Sequence, residues 1–200
     1  MTKKAQKIIL TDADGVLLNW EYAFTCWMEQ QGYQEQPGAN FQYDIAKRFN
    51  IESNNKGHKL VRQFNESAAI GFLPPLRDAQ HYVKLLHEKY NIDFLAITSL
   101  SLDPYAKELR VRNLRKLFGT AFVDVVCLDT GADKDEVLTE YAALYPGATW
   151  IEDKPENAFA GYTVGLNTIL VEHGHNMTDP LNAHYYVAKN WEDIAAKVTA

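Results

Sequence analysis

An α/β architecture, with parallel strands in one sheet and helices on both of its faces, is the fold class that this sequence predicts. Three observations carry it. Five short apolar runs recur along the chain, and amphipathic stretches long enough for helices stand between most of them. Strands separated by helices become parallel neighbours through right-handed crossovers. The rhythm breaks once, between about residues 19 and 75, where three helix-like stretches follow one another without a strong apolar run.

The first run, residues 7–12, leads into acidic residues and Gly15 and reads as a buried strand followed by a turn. Residues 93–98, 121–127, 148–152 and 167–171 supply four more buried strands. Between them, residues 77–90 place Ala79, Val83, Leu86 and Tyr90 on one helical face, with Pro74-Pro75 ahead of the start. Residues 104–118 follow Asp103, a natural N-cap, and stop at Gly119. Residues 133–145 and 155–162 fill the next two gaps, with acidic residues near their starts, and 191–198 makes a short final helix.

The interval 19–75 holds helical patterns at 20–31, 41–49 and 56–69, with breaks at Gln36-Pro37-Gly38 and Glu52-Ser53-Asn54-Asn55. It reads as a helical cap inserted after the first strand and lying over the strand ends. Residues 1–18 and 76–200 then form the α/β core. The alternative is a set of helices packed into the main layer.

Two hundred residues at 46% hydrophobic suffice for one well-filled core with a small lobe, and not for two large domains. Acidic residues number 26 against 20 basic, a formal charge of −6, which argues against a nucleic-acid polymer as partner. Cys26 and Cys127 each lie in an apolar segment and read as buried small hydrophobes in a reducing, cytoplasmic setting. After the basic start Met1-Thr2-Lys3-Lys4, the run Ile8-Ile9-Leu10 is too short for a signal-peptide core or a membrane span.

Parallel sheets bind ligands at the carboxyl ends of their strands. At the first of these ends stands Asp12-Ala13-Asp14-Gly15-Val16, two carboxylates two positions apart beside a glycine that lets the chain turn. A carboxylate can open a phosphate ester through an aspartyl-phosphate, and a second can protonate the leaving oxygen and then deprotonate water. Carboxylates repel phosphate, so this chemistry needs a metal, and Mg2+ takes oxygen ligands and few protein carboxylates. Thr98-Ser99 follows the second strand with hydroxyl and N–H groups for phosphate oxygens. Lys134 follows the third, and Glu152-Asp153 ends the fourth with a further carboxylate. Singly, these residues also read as a helix cap, a surface charge and a solvated turn. Their joint placement at four consecutive strand ends argues for a site.

These segments resemble the four motifs of the haloacid dehalogenase superfamily: Asp12-x-Asp14-Gly15-Val16, an apolar strand ending in Thr98, then Lys134, then Glu152-Asp153 with Asn157 four residues on. The resemblance covers residues 7–18 and 76–172. It implies a Rossmann-like core with an inserted helical cap of the C1 type. It also implies Asp12 as nucleophile, Asp14 as general acid and base, and Thr98 and Lys134 as phosphate ligands. Magnesium would be held by Asp12, the backbone carbonyl of Asp14, and Asp153, with Glu152 and Asn157 around them. An Asp two residues after the nucleophile resembles the phosphatases rather than the dehalogenases.

More narrowly, Ile97-Thr98-Ser99, Asp133-Lys134, Ile151-Glu152-Asp153-Lys154 and Gly71-Phe72-Leu73 before Pro74-Pro75 resemble the 5′(3′)-deoxyribonucleotidases. That implies (deoxy)nucleoside monophosphates as substrates, Ser99 as a further phosphate contact, and Trp20 beside the nucleoside. Glu152 departs from the Asp-Asp pair of those enzymes but keeps its charge. A sugar phosphate, phosphoglycolate or another small phosphorylated metabolite is the alternative substrate, and a non-catalytic phosphate-binding protein the alternative class. The other aromatics of the interval read as its own core, and His173 and His175 as loop residues rather than metal ligands.

Overall fold

The computed structural model describes residues 7–200, so the basic start Met1-Thr2-Lys3-Lys4 and the first six residues of the expected core lie outside the described residues. The strands β1 (Lys7–Thr11), β2 (Ile92–Thr98), β3 (Phe122–Cys127), β4 (Thr149–Glu152), β5 (Asn167–Val171) and β6 (Tyr186–Ala188) form one sheet. All pairings are parallel, in the spatial order β3-β2-β1-β4-β5-β6. From β1 the chain builds outward through β2 and β3, then crosses back to lay β4 on the other side of β1. The order of strands therefore reverses at β1, the position where such sheets open a crevice for a ligand.

Alternation along the strands sends side chains to two separate layers. Ile9, Phe94 and Ala96 pack with Val83 and Leu86 of α4 (Ala79–Tyr90), Leu109 and Leu114 of α5 (Pro104–Phe118) and Ile194 of α8 (Trp191–Thr199). Leu10, Leu95 and Ile97 pack on the opposite face with Leu138 of α6 (Asp135–Leu144) and Ala160 of α7 (Pro155–Thr163). Helices thus cover both faces, as the sequence predicts.

Three details of the sheet and the helices that cover it differ from expectation. The run at 121–127 was expected as a buried strand, but β3 is an edge strand, with Val123 55% exposed. Only one of its edges is paired, so its apolar composition reflects β-propensity more than burial. Tyr90, expected on the buried face of α4, is 43% exposed because the helix ends there and Asn91 turns into the left-handed region. β6 follows a loop containing Pro180 and is only three residues long, too short to show a period in sequence.

Between β1 and α4 lie α1 (Trp20–Gln30), α2 (Ile45–Arg48) and α3 (Asn54–Asn65), with 3-10 turns at Ala39–Phe41 and Ala68–Phe72. The helix expected over 41–49 is a single turn, because Asp44 caps it by accepting from Ala46 N at 2.8 Å while Gln42 is extended. The helix expected over 56–69 begins at Asn54, where Ser53 accepts from Lys56 N, and stops at Asn65, where Ser67 starts a 3-10 turn. Phe24, Met28, Ala46, Leu60 and Phe64 from this interval belong to the same apolar cluster as Ile9 and Phe94 of the sheet. The apolar interior beneath residues 19–75 is therefore continuous with one layer of the sheet.

Candidate active site

Asp12 is the first residue past β1. Its N–H still donates to Ile151 O of β4 at 2.8 Å, which fixes its backbone to two strands. The chain then turns in a buried loop in which Ala13, Val16, Leu17 and Leu18 are fully enclosed. Leu17 N and Leu18 N both donate to Ala13 O at 2.9 Å, and Gly15 N to Leu18 O at 3.0 Å. Gly15 has φ +74°, and a Cβ placed on it would stand 2.1 Å from Asp153 Oδ2. Only glycine allows both the left-handed turn and the approach of that carboxylate.

Lys134, at the start of α6, is buried between two carboxylates. Its Nζ lies 2.9 Å from Asp12 Oδ1 and 2.8 Å from Glu152 Oε2. Asp12 Oδ1 also accepts from Ala13 N at 2.7 Å. Glu152 Oε1 accepts from Asp153 N and Lys154 N at 3.0 and 3.1 Å, so Glu152 fixes both Lys134 and the turn that carries Asp153. One carboxylate oxygen each from Asp12, Glu152 and Asp153 lie within 4.8 Å of one another, a group that could hold a metal ion.

The electrostatics of this group are those of a site short of positive charge. Burial pushes the Asp12 carboxyl up to about 8, with Lys134 opposing and Glu152 and Asp14 adding to the rise. Burial and the Asp12 charge push Asp153 up to about 7, and burial raises Glu152 as well. Burial works against the Lys134 charge, yet Asp12 and Glu152 hold the ammonium above its ordinary range. One buried ammonium among three carboxylates, two buried and one half-buried, leaves negative charge that a divalent cation would offset. The donor set, all oxygen, suits Mg2+.

The remaining predicted residues divide into those brought together and those turned elsewhere. Thr98 is 1% exposed, and its Oγ1 has no hydrogen-bonding partner among the described residues although it lines the same cavity as Asp12. Ser99 lines the cavity too, but its hydroxyl donates to Ala132 O at 2.7 Å and so ties down the loop before Lys134. Asn157 is buried at the cavity, and its carbonyl accepts from Trp150 Nε1 at 3.1 Å. Trp20 also lines the cavity, with one ring stacked on Phe24 at 4.5 Å and Nε1 donating to Asn65 Oδ1 at 2.9 Å. Those contacts give it a packing role whatever else it meets.

Asp14 is held by a residue that sequence reasoning missed. Arg110 of α5 is completely buried and grips both Asp14 oxygens, at 2.5 and 3.0 Å. The available signal was a charge within the inward stripe Ala106, Leu109, Asn113 and Leu114, all of which are buried. His173 was also missed: its Nε2 lies 2.7 Å from Gly15 O, so it fastens the loop against which Asp153 rests. No periodicity marks a loop histidine for such a task.

The residues predicted for the site line one cavity of about 700 Å³, roofed by residues of the 19–75 interval. The roof is mixed, with Trp20 and Tyr43 beside Glu21, Gln42, Arg48, Asn54, His58 and Arg62. Both arginines are already paired, Arg48 with Glu21 and Glu35, and Arg62 with Asp129 at 2.9 Å. Among the described residues, no helix is long and apolar enough to cross a membrane.

Comparison with known proteins places this arrangement. No family model matches the sequence. An uncharacterized 32.4 kDa protein encoded in the Gp30-rIII intergenic region of Enterobacteria phage T4 is 30% identical over 150 residues. That match takes in 72% of this chain and 53% of the phage protein, so the chain spans about half the length of this relative. Among solved structures, a haloacid dehalogenase-like family hydrolase from Streptococcus pneumoniae superposes with a TM-score of 0.69 at 14% identity, covering 96% of this chain and 98% of that one. The D,D-heptose 1.7-bisphosphate phosphatase from B. bronchiseptica, in complex with magnesium and phosphate, gives 0.59 at 13% identity, over 96% and 98% of the two chains. The L-2-haloacid dehalogenase from Xanthobacter autotrophicus gives 0.61 at 11% identity, over 97% and 98%. At such identities the likeness speaks for architecture, and the architecture is that of the haloacid dehalogenase-like proteins: this chain has their fold.

Proposed function

We propose that the protein is a Mg2+-dependent phosphomonoesterase that works through an aspartyl-phosphate, with (deoxy)nucleoside monophosphates as substrates. The observation that carries the reading is the clustering of Asp12, Lys134 and Asp153 in one cavity that the unpartnered Thr98 also lines. Residues 19–75 act as the cap over it, and two free thiols, Cys26 and Cys127, fit a reducing cytoplasm.

In this mechanism Asp12, Asp153 and the Asp14 carbonyl would hold Mg2+, which would supply positive charge to offset the phosphate oxygens. Asp12 attacks phosphorus through a carboxylate oxygen, and the bond from phosphorus to the alcohol oxygen breaks. Thr98 donates its hydroxyl hydrogen to a phosphate oxygen, and Lys134 holds both Asp12 and the transferring group in line. Asp14 gives its proton to the departing alcohol oxygen, then takes one from the water that cleaves the aspartyl-phosphate. Both Asp14 oxygens face Arg110 here, so protonating the alcohol requires the carboxylate to turn from that contact.

With Mg2+ present, the purified protein should release inorganic phosphate from members of a deoxynucleoside monophosphate panel, and release from none would remove the nucleotide reading. Asp12→Asn should abolish turnover; an active variant would refute covalent catalysis. One observation favours a second substrate class. The cavity roof is more polar than a pair of stacking aromatics would need, which suits a sugar phosphate or another small polar ester. Turnover of a sugar phosphate with a higher kcat/KM than any nucleotide would select it.

A further inference from the structure

His175 follows β5 in the segment His173-Gly174-His175, which the mechanism above leaves idle apart from the His173 contact with Gly15. Three observations fix its imidazole in place. Gly174 presses against the 3-10 turn of the roof so closely that a Cβ there would stand 2.5 Å from Asn40 O. The His173 ring lies nearly parallel to the His175 ring at 5.5 Å, and His173 is itself anchored through its Nε2 and its backbone N–H, which donates to Asn176 Oδ1 at 2.8 Å. Tyr43 of the roof covers a further side, with ring centroids 5.3 Å apart.

So held, His175 lines the cavity shared with Asp12 and Trp20, and its Nε2 is shut off from the surface without a hydrogen-bonding partner among the described residues. A rigidly mounted polar atom of this kind is costly unless something bonds to it. Burial, then the neighbouring His173, pushes the imidazole down to about 4, so it stands neutral under physiological conditions. The two arginines of the cavity are occupied by carboxylates, and Lys154 follows Asp153 in the chain. With His175 neutral and both arginines paired, its surroundings suit an uncharged group rather than a second anion.

We propose that His175 is a specificity-determining residue whose Nε2 hydrogen-bonds a neutral polar group, a hydroxyl or a base edge, on the alcohol part of the substrate. The inference rests on the phosphomonoesterase reading for which molecule enters, but not on turnover. The test is titration calorimetry on the Asp12→Asn protein with Mg2+, using the four deoxynucleoside 5′-monophosphates, glucose 6-phosphate, and phenyl phosphate, whose ring has no polar group. His175→Phe should weaken the best-bound polar ester by about tenfold, the value of one hydrogen bond to a neutral partner, and leave phenyl phosphate within about twofold. His175→Gln, whose amide reaches the position of Nε2, should restore most of the loss. Equal weakening of polar and apolar esters would assign His175 a packing role and overturn the proposal. So would unchanged binding of every ester, or no binding of any polar ester before substitution. Binding with the predicted pattern, beside an unmodified protein that releases no phosphate, would refute the hydrolytic reading alone.

Discussion

Replacing Gly15 with alanine tests the proposed metal-holding loop at its tightest point. The new Cβ would stand 2.1 Å from Asp153 Oδ2 and 2.6 Å from its Cγ, where ordinary contact begins near 3.4 Å. The Asp153 carboxylate must therefore retreat by about 1.3 Å, or the loop must open against the His173 bond to Gly15 O. Alanine at φ +74° adds about 1 kcal/mol of backbone strain. Magnesium tolerates little displacement, since its oxygen ligands sit at about 2.0–2.1 Å in near-ideal octahedral geometry. Losing Asp153 as a ligand should weaken Mg2+ by at least about tenfold, the range seen when even supporting groups are removed. Titration calorimetry with Mg2+ on folded Gly15→Ala protein measures this directly. An affinity within twofold of the unmodified protein, with an unchanged circular dichroism spectrum, would refute Asp153 as a ligand.

Other substitutions reach different parts of the site. Lys134→Met removes the ammonium that lies 2.9 Å from Asp12 Oδ1 and should lower kcat by about 10²–10³, read in steady-state phosphate release. Arg110→Met strips two charged hydrogen bonds from Asp14 and should cost about 2 kcal/mol in denaturant unfolding, while Arg110→Lys should recover part of it. The metal-free protein should lose stability as pH rises. Burial pushes the Asp12 and Asp153 carboxyls up to about 8 and about 7, well above the ordinary aspartate range, so the protonated forms favour the fold. That contribution is whole below about pH 4 and is lost as pH climbs through 7 and 8. Thermal melts in EDTA should fall between pH 5 and 9, and added Mg2+ should raise the melting temperature most at the alkaline end. A metal-free melting temperature that rises over this interval would contradict the assignment.

Much of the candidate site was legible because it is built from charged or polar residues at the ends of apolar strands, where they stand out. Asp12, Thr98, Lys134, Glu152 and Asp153 all sit where the sequence pattern puts them, and the strands that carry them match to within a residue or two. Arg110 stayed hidden because its partner is 96 residues away, and a charged residue on a helix ordinarily reads as solvent-facing. β3 misled for a related reason, since pairing on one edge or two leaves no mark on composition. The short turns at 39–48 depend on which of several capping residues wins, and Asp44 decided that by bonding Ala46 N. His173 and His175 act through the packing of a loop against a distant segment, a relation no local pattern encodes.

Trp191 offers a last consequence. Its indole N–H donates to Val16 O at 2.8 Å, and Asp78 accepts from the N–H groups of Trp191 and Glu192, both at 3.0 Å. The turn that follows Asp12 is thus clasped by a residue 175 positions further along the chain. A chain cut before α8 would keep every candidate site residue named above and still leave that turn unclasped. Removing α8 should therefore loosen the site without taking away any of its side chains.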